Sequence, residues 1–183
     1  MKAHDTMHKL LFTSALLALA GTVQAHVTLE QPEAQAGSSY KAVLRVGHGC
    51  DGSATRQLLV TLPPGLRGAK PQPKPGWTLT LRRAKLAQPY ESHGRQIDEE
   101  LAEVSWTAQG EAALLQDDWY DEFVLRAQLP AQPGPLWFKV RQVCVRGESD
   151  WSEQPASGSS TRGLKRPAAL LQLTPAAEPA HAH

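Results

Sequence analysis

Glu122-Phe-Val-Leu-Arg-Ala-Gln-Leu129 and Leu136-Trp-Phe-Lys-Val-Arg-Gln-Val143, parted by Pro130-Ala-Gln-Pro-Gly-Pro135, decide how this chain is read. In both runs apolar and polar residues alternate with period two, and branched and aromatic side chains abound, as in strands that lay one face on a core. The prolines between them have a fixed φ and no amide donor, so the connection is a turn. Working outward, the same alternation recurs in Tyr40–Val46, Gln57–Leu62, Trp77–Arg82 and Ala102–Thr107. Pro63-Pro64-Gly65 and Pro71-Gln-Pro-Lys-Pro-Gly76 supply the turn chemistry between them. A further strand near Ala168–Leu173 would close the set. Short strands in series, without an amphipathic helix, predict an all-β chain folded as two packed antiparallel sheets, a β-sandwich. Arg83–Glu100 is polar and poorly periodic and is expected to be a long hairpin excursion.

The two ends read differently. Lys2, His8 and Lys9 precede an apolar stretch, Leu10–Ala20, and then Gly21-Thr-Val-Gln-Ala25. That is the pattern of a signal peptide cleaved after Ala25, with Val23 and Ala25 as the small residues that the peptidase reads. His26 would then be the first residue of an exported, periplasmic protein. The apolar run is too short for a permanent span, and no later segment approaches the ~20 apolar residues a membrane helix needs, so no membrane span is expected in the mature chain. Residues 26–174 are enough for one domain with its own core, and 175–183, rich in Ala, Pro and His, read as a disordered tail. Of the formal charge of +1, cleavage removes two lysines and one aspartate, which leaves none. Without a dense basic cluster, nucleic acid is not an expected partner. Cys50 and Cys144 are the only cysteines, and in an oxidising compartment they are expected to form a disulfide. The competing reading is a thiolate ligand for Cu(I).

Several residues could carry chemistry. A histidine at a free amino terminus offers its α-amine and Nδ1 to one metal ion in a chelate ring. Nitrogen donors in a tetragonal field favour Cu(II), which also heads the divalent affinity order. The α-amine titrates near pH 8, so a metal displaces its proton at modest cost. The loop Gly47-His48-Gly-Cys-Asp-Gly-Ser53 adds His48 and Asp51 as candidate ligands, or it is simply a tight glycine-rich loop held by the disulfide. Trp151, shortly after Cys144, would be drawn toward that loop, beside the metal or as ordinary core. Asp121 and Glu122 are a possible carboxylate source or a solvated strand end. His93 reads as surface, and His181 and His183 as a weak metal-collecting arm. No nucleophile elbow, phosphate loop or zinc-protease helix motif is present.

His26-Val-Thr-Leu-Glu-Gln-Pro-Glu-Ala-Gln-Ala-Gly37 after a signal peptide resembles the opening of the YcnI-like family of bacterial extracytoplasmic copper-binding domains. Gly47–Ser53, Lys74-Pro-Gly-Trp77, Tyr120-Asp-Glu-Phe123 and Cys144–Trp151 look like its Gram-negative branch. The resemblance implies an immunoglobulin-like sandwich and a Cu(II) site braced by the amino-terminal histidine, with a late tryptophan close by and an acid after the second strand. His26 and Trp151 match those positions. The acid is absent from Val46-Gly-His-Gly-Cys-Asp51, and His48 or Asp51 stands in its place. The resemblance further implies copper trafficking or sequestration, with other periplasmic copper-handling proteins as partners, and not catalysis. Two other classes stay open: a copper-dependent oxidative enzyme resembling lytic polysaccharide monooxygenases, and a structural sandwich without metal.

Overall fold

A computed structural model describes residues 26–176. The expected signal peptide, residues 1–25, and the tail histidines His181 and His183 lie outside the described residues. Strand follows strand: β1 (Thr28–Leu29), β2 (Glu33–Gln35), β3 (Ser39–Val46), β4 (Thr55–Thr61), β5 (Arg67–Pro71), β6 (Trp77–Ser92), β7 (Arg95–Ala108), β8 (Asp121–Gln128), β9 (Gly134–Cys144), β10 (Glu148–Trp151) and β11 (Ala169–Thr174). A 3-10 turn at Glu111–Ala113 is the only helical element among the described residues. None of their helices is long and apolar enough to cross a membrane.

Two sheets face each other. The smaller runs β1-β3-β8-β5; the larger runs β2-β11-β9-β4-β7-β6, with β10 paired to the far half of β9. Alternation sets the faces, as the sequence requires: Tyr40, Ala42, Leu44 and Val46 of β3 and Phe123, Leu125 and Ala127 of β8 point inward. They meet Leu58 and Val60 of β4, Val104 and Trp106 of β7, and Phe138 and Val140 of β9. Phe123 is the hub, edge-on to Trp77 at 5.2 Å and to Trp106 at 5.6 Å, pairs that add roughly 0.5–1.5 kcal/mol each beyond their burial. The result is an all-β sandwich in which Cys50 and Cys144 are bonded, with their Cα atoms 5.9 Å apart. Among the described strands all pairings are antiparallel except β2 with β11, which is parallel; an isolated bridge, Glu153 with Pro167, is also parallel.

The segment Arg83–Glu100 is the long hairpin that the sequence predicts. It is a two-stranded ribbon in which β6 and β7 pair from Trp77–Ala108 out to Ser92–Arg95, with register irregularities at Arg82/Arg83 and between Lys85 and Tyr90. Its tip is a two-residue turn with positive φ at His93 (49°) and Gly94 (71°), the backbone that matches the twist of a hairpin. His93 is exposed there. The polar composition follows from geometry, because the ribbon leaves the sandwich and most of its residues meet water.

Candidate metal centre

One end of the sandwich gathers the chemistry. β1 lies antiparallel on the end of β3, Thr28 opposite Arg45, and continuing that register brings His26 level with the Gly47-His48 loop. β10 lies antiparallel on β9 with Trp151 opposite Val140, and its alternation turns Trp151 inward, 5% exposed. The His26 imidazole stands 5.4 Å from the indole, centroid to centroid, with the planes at 80°. The His48 imidazole stands 6.5 Å from the same indole at 77°. Two imidazoles from separate loops are thus packed edge-wise against one tryptophan.

The loop beneath them is fixed by contacts that admit little substitution. A Cβ on Gly49 would sit 1.9 Å from the Ser53 carbonyl oxygen, so only glycine fits where the backbone folds on itself. The Gly49 amide donates to Asp117 Oδ1 at 3.0 Å. The His48 ring closes on the Gly49 carbonyl through Nδ1. A carbonyl only accepts, so Nδ1 is the donor in this contact, and in the neutral ring that leaves Nε2 with the lone pair that binds metals. Cys50 and Ser53 exchange backbone hydrogen bonds at 2.9 Å each across Asp51 (φ 47°) and Gly52 (φ 79°). Asp51 therefore occupies the tip of a tight turn, exposed to solvent.

Gln142 ties the parts together. It lies on the inward face of β9, 1% exposed. Its Nε2 donates to the His48 carbonyl and to Thr55 Oγ1, both at 2.7 Å. Its Oε1 accepts the Trp151 indole N–H at 3.1 Å. Both amide hydrogens and the carbonyl oxygen of this buried side chain have partners on the walls of the site, which is the condition for its burial to be tolerated.

The remaining candidates are accounted for elsewhere. Asp121 accepts from Lys74 Nζ at 2.6 Å, and Glu122 accepts from the Tyr120 hydroxyl at 2.6 Å. That hydrogen bond, with some burial, pushes the Tyr120 phenol up to about 12, so Tyr120 offers no phenolate near neutrality. Both cysteine sulfurs are spent on each other, which removes the thiolate reading. Among the described residues no group of three or more His, Cys, Asp or Glu side chains is close enough to hold a metal ion. What the geometry brings together is therefore His26, His48 and Trp151. Sequence reasoning passed over Asp117, Gln142 and the exposed neighbours Trp119 (55%) and Val145 (52%). Of these only Gln142 had a signal, a polar residue at an inward strand position.

The profile of the family described as "Domain of unknown function (DUF1775)" matches residues 26–173. No curated protein matches the chain. Among solved structures, an uncharacterized protein from Nocardia farcinica with an immunoglobulin-like fold is 27% identical, with 81% of this chain and 98% of that one covered at a TM-score of 0.62. The seventh ScaB type I cohesin from Pseudobacteroides cellulosolvens is 10% identical, with coverage of 86% and 97% and a TM-score of 0.44.

Proposed function

This chain belongs to the DUF1775 family, and from that premise we propose that it is a periplasmic Cu(II)-binding protein of the YcnI-like kind, serving copper trafficking or sequestration. The observation that carries the reading is the convergence of the His26 and His48 imidazoles on Trp151. After cleavage behind Ala25, His26 contributes its α-amine and Nδ1, and His48 contributes Nε2. Three nitrogen donors suit Cu(II) better than any hard divalent ion, and soft thiolate is absent. Trp151 walls the site and limits water. Gln142 fixes both the wall and the His48 backbone, so the site is preorganised for reversible ligand exchange.

The test compares protein beginning at His26 with protein retaining Ala25, by isothermal titration with Cu(II). The extra residue turns the amine into an amide and is expected to weaken binding ~100-fold or more, about 2.7 kcal/mol. Equal affinities would remove the amino-terminal chelate. A second reading, a copper-dependent oxidase, is favoured by His48 as a second imidazole and by exposed Trp119 on the neighbouring loop. Ascorbate-driven peroxide formation with sugar oxidation would distinguish it from a carrier.

A further inference from the structure

The outer face of the smaller sheet carries an arrangement that folding alone does not favour. Arg126 of β8 has Lys41 of β3 directly opposite on one side and Lys70 of β5 directly opposite on the other. All three are exposed and share one face, so three like charges form a row about 10 Å long at ordinary strand spacing. Like charges directly opposite across strands destabilise a sheet. None of the ion pairs among the described residues involves them; those join Lys74 to Asp121, Arg82 to Glu103 and Arg141 to Glu148.

A groove of about 500 Å³ opens over the Arg126–Lys70 end of this row, with Lys41 outside its lining. Its floor includes Lys70 and Arg126, and Arg67 stands beside them. The tip of the β6–β7 ribbon, with His93, forms the opposite wall. Two of the cations are held in place: Arg126 Nε donates to Ser39 Oγ at 3.1 Å, and the Arg67 guanidinium lies 4.2 Å over the Tyr90 ring. Tyr90 is anchored in turn by donating to Glu100 Oε1 at 2.5 Å, the same oxygen that accepts the Gly68 amide. Glu91 is the one carboxylate lining the groove. Ser39 and Gln128 mark the end of the β3–β8 pair opposite the one near His48, so the groove stands ~20 Å from the candidate metal centre by strand rise.

We propose that this groove binds a small multivalent oxyanion, a molecule with two or more phosphate or carboxylate groups set to span Arg126, Lys70 and Arg67. The volume suits a small molecule, and bridging by adjacent anionic groups removes the repulsion within the row. This inference does not depend on copper binding.

Isothermal titration at low ionic strength with tripolyphosphate and with citrate tests it, and the tighter of the two identifies the anionic group. Saturable one-site binding is expected, weakened ~10-fold or more by Arg126→Gln and by Lys70→Gln, and falling with added salt. Arg82→Gln, on the ribbon but paired with Glu103, should bind as wild type. Ligand-free Arg126→Gln should melt no lower than wild type, because it removes repulsion, whereas a structural arginine would be missed. No binding of either anion, undiminished binding by both groove variants, or binding only to anionic lipid vesicles would each overturn the proposal.

Discussion

Gln142→Leu is expected to lower stability by about 3 kcal/mol and, in the same stroke, to change the proposed copper site. Leucine fills nearly the same volume, so the loss is polar rather than a cavity. An unpartnered buried donor or acceptor costs roughly 1–3 kcal/mol. The Trp151 indole N–H is buried and stands near the top of that range. The His48 carbonyl belongs to a half-buried residue, and Thr55 Oγ1 keeps Cys144 Sγ at 3.8 Å, so each stands near the bottom. Burial of an apolar side chain returns ~1.5 kcal/mol, which leaves about 3. In a domain of this size 1 kcal/mol moves the melting midpoint by roughly 2–4 °C, and the midpoint should fall by about 6–12 °C. Calorimetry on metal-free protein measures this. Val104→Ala is the companion variant: it is fully buried in the core on β7, cross-strand from Val60 and Leu81, and should lose ~2–3 kcal/mol by cavity formation. Its Cu(II) EPR spectrum should match that of wild type, while that of Gln142→Leu should differ. A midpoint within ~2 °C of wild type, or copper spectra that do not separate the two variants, would refute the role assigned to Gln142.

Exported protein should show no free thiol on denaturation, and removal of the Cys50–Cys144 bond should cost on the order of 4–5 kcal/mol for so long a loop, read by urea unfolding of the double alanine variant. A loss below ~1 kcal/mol would mean that the unfolded chain is already constrained there. The tyrosines Tyr40, Tyr90 and Tyr120 all have phenols pushed up to about 12, Tyr40 and Tyr90 first by burial and Tyr120 first by its bond to Glu122. Unfolded phenols titrate near 10. With the folded value the higher one, their contribution is complete below pH 10 and is lost as pH rises toward 12. Ultraviolet titration of native protein should therefore show little tyrosinate at pH 10.5, and a native midpoint near 10 would contradict these environments.

The strands with one face on the core were legible because burial imprints a period of two within each run, whatever the run pairs with. β5 was not, since Arg67-Gly-Ala-Lys-Pro71 carries a single apolar side chain at Ala69 and becomes a strand only by pairing with β8. The ribbon was legible as a hairpin, but with most of its residues in water it has no alternation from which register and irregularities could be read. Asp51 drew attention as a carboxylate between a cysteine and a glycine, yet Asp-Gly is also the dipeptide that a tight two-residue turn demands, and that turn is where it lies.

The cation row is a product of register, invisible until Lys41 and Lys70 are set on either side of Arg126. Gln142 shows how far sequence could have gone. Leu136, Phe138 and Val140 fix the inward positions of β9, and the next in step is a glutamine. An amide at that position must find partners or forfeit the strand's burial, so the break in pattern already announces polar groups converging there. Which groups they are depends on β10 and the His48 loop arriving from elsewhere in the chain, and that lies beyond any local reading.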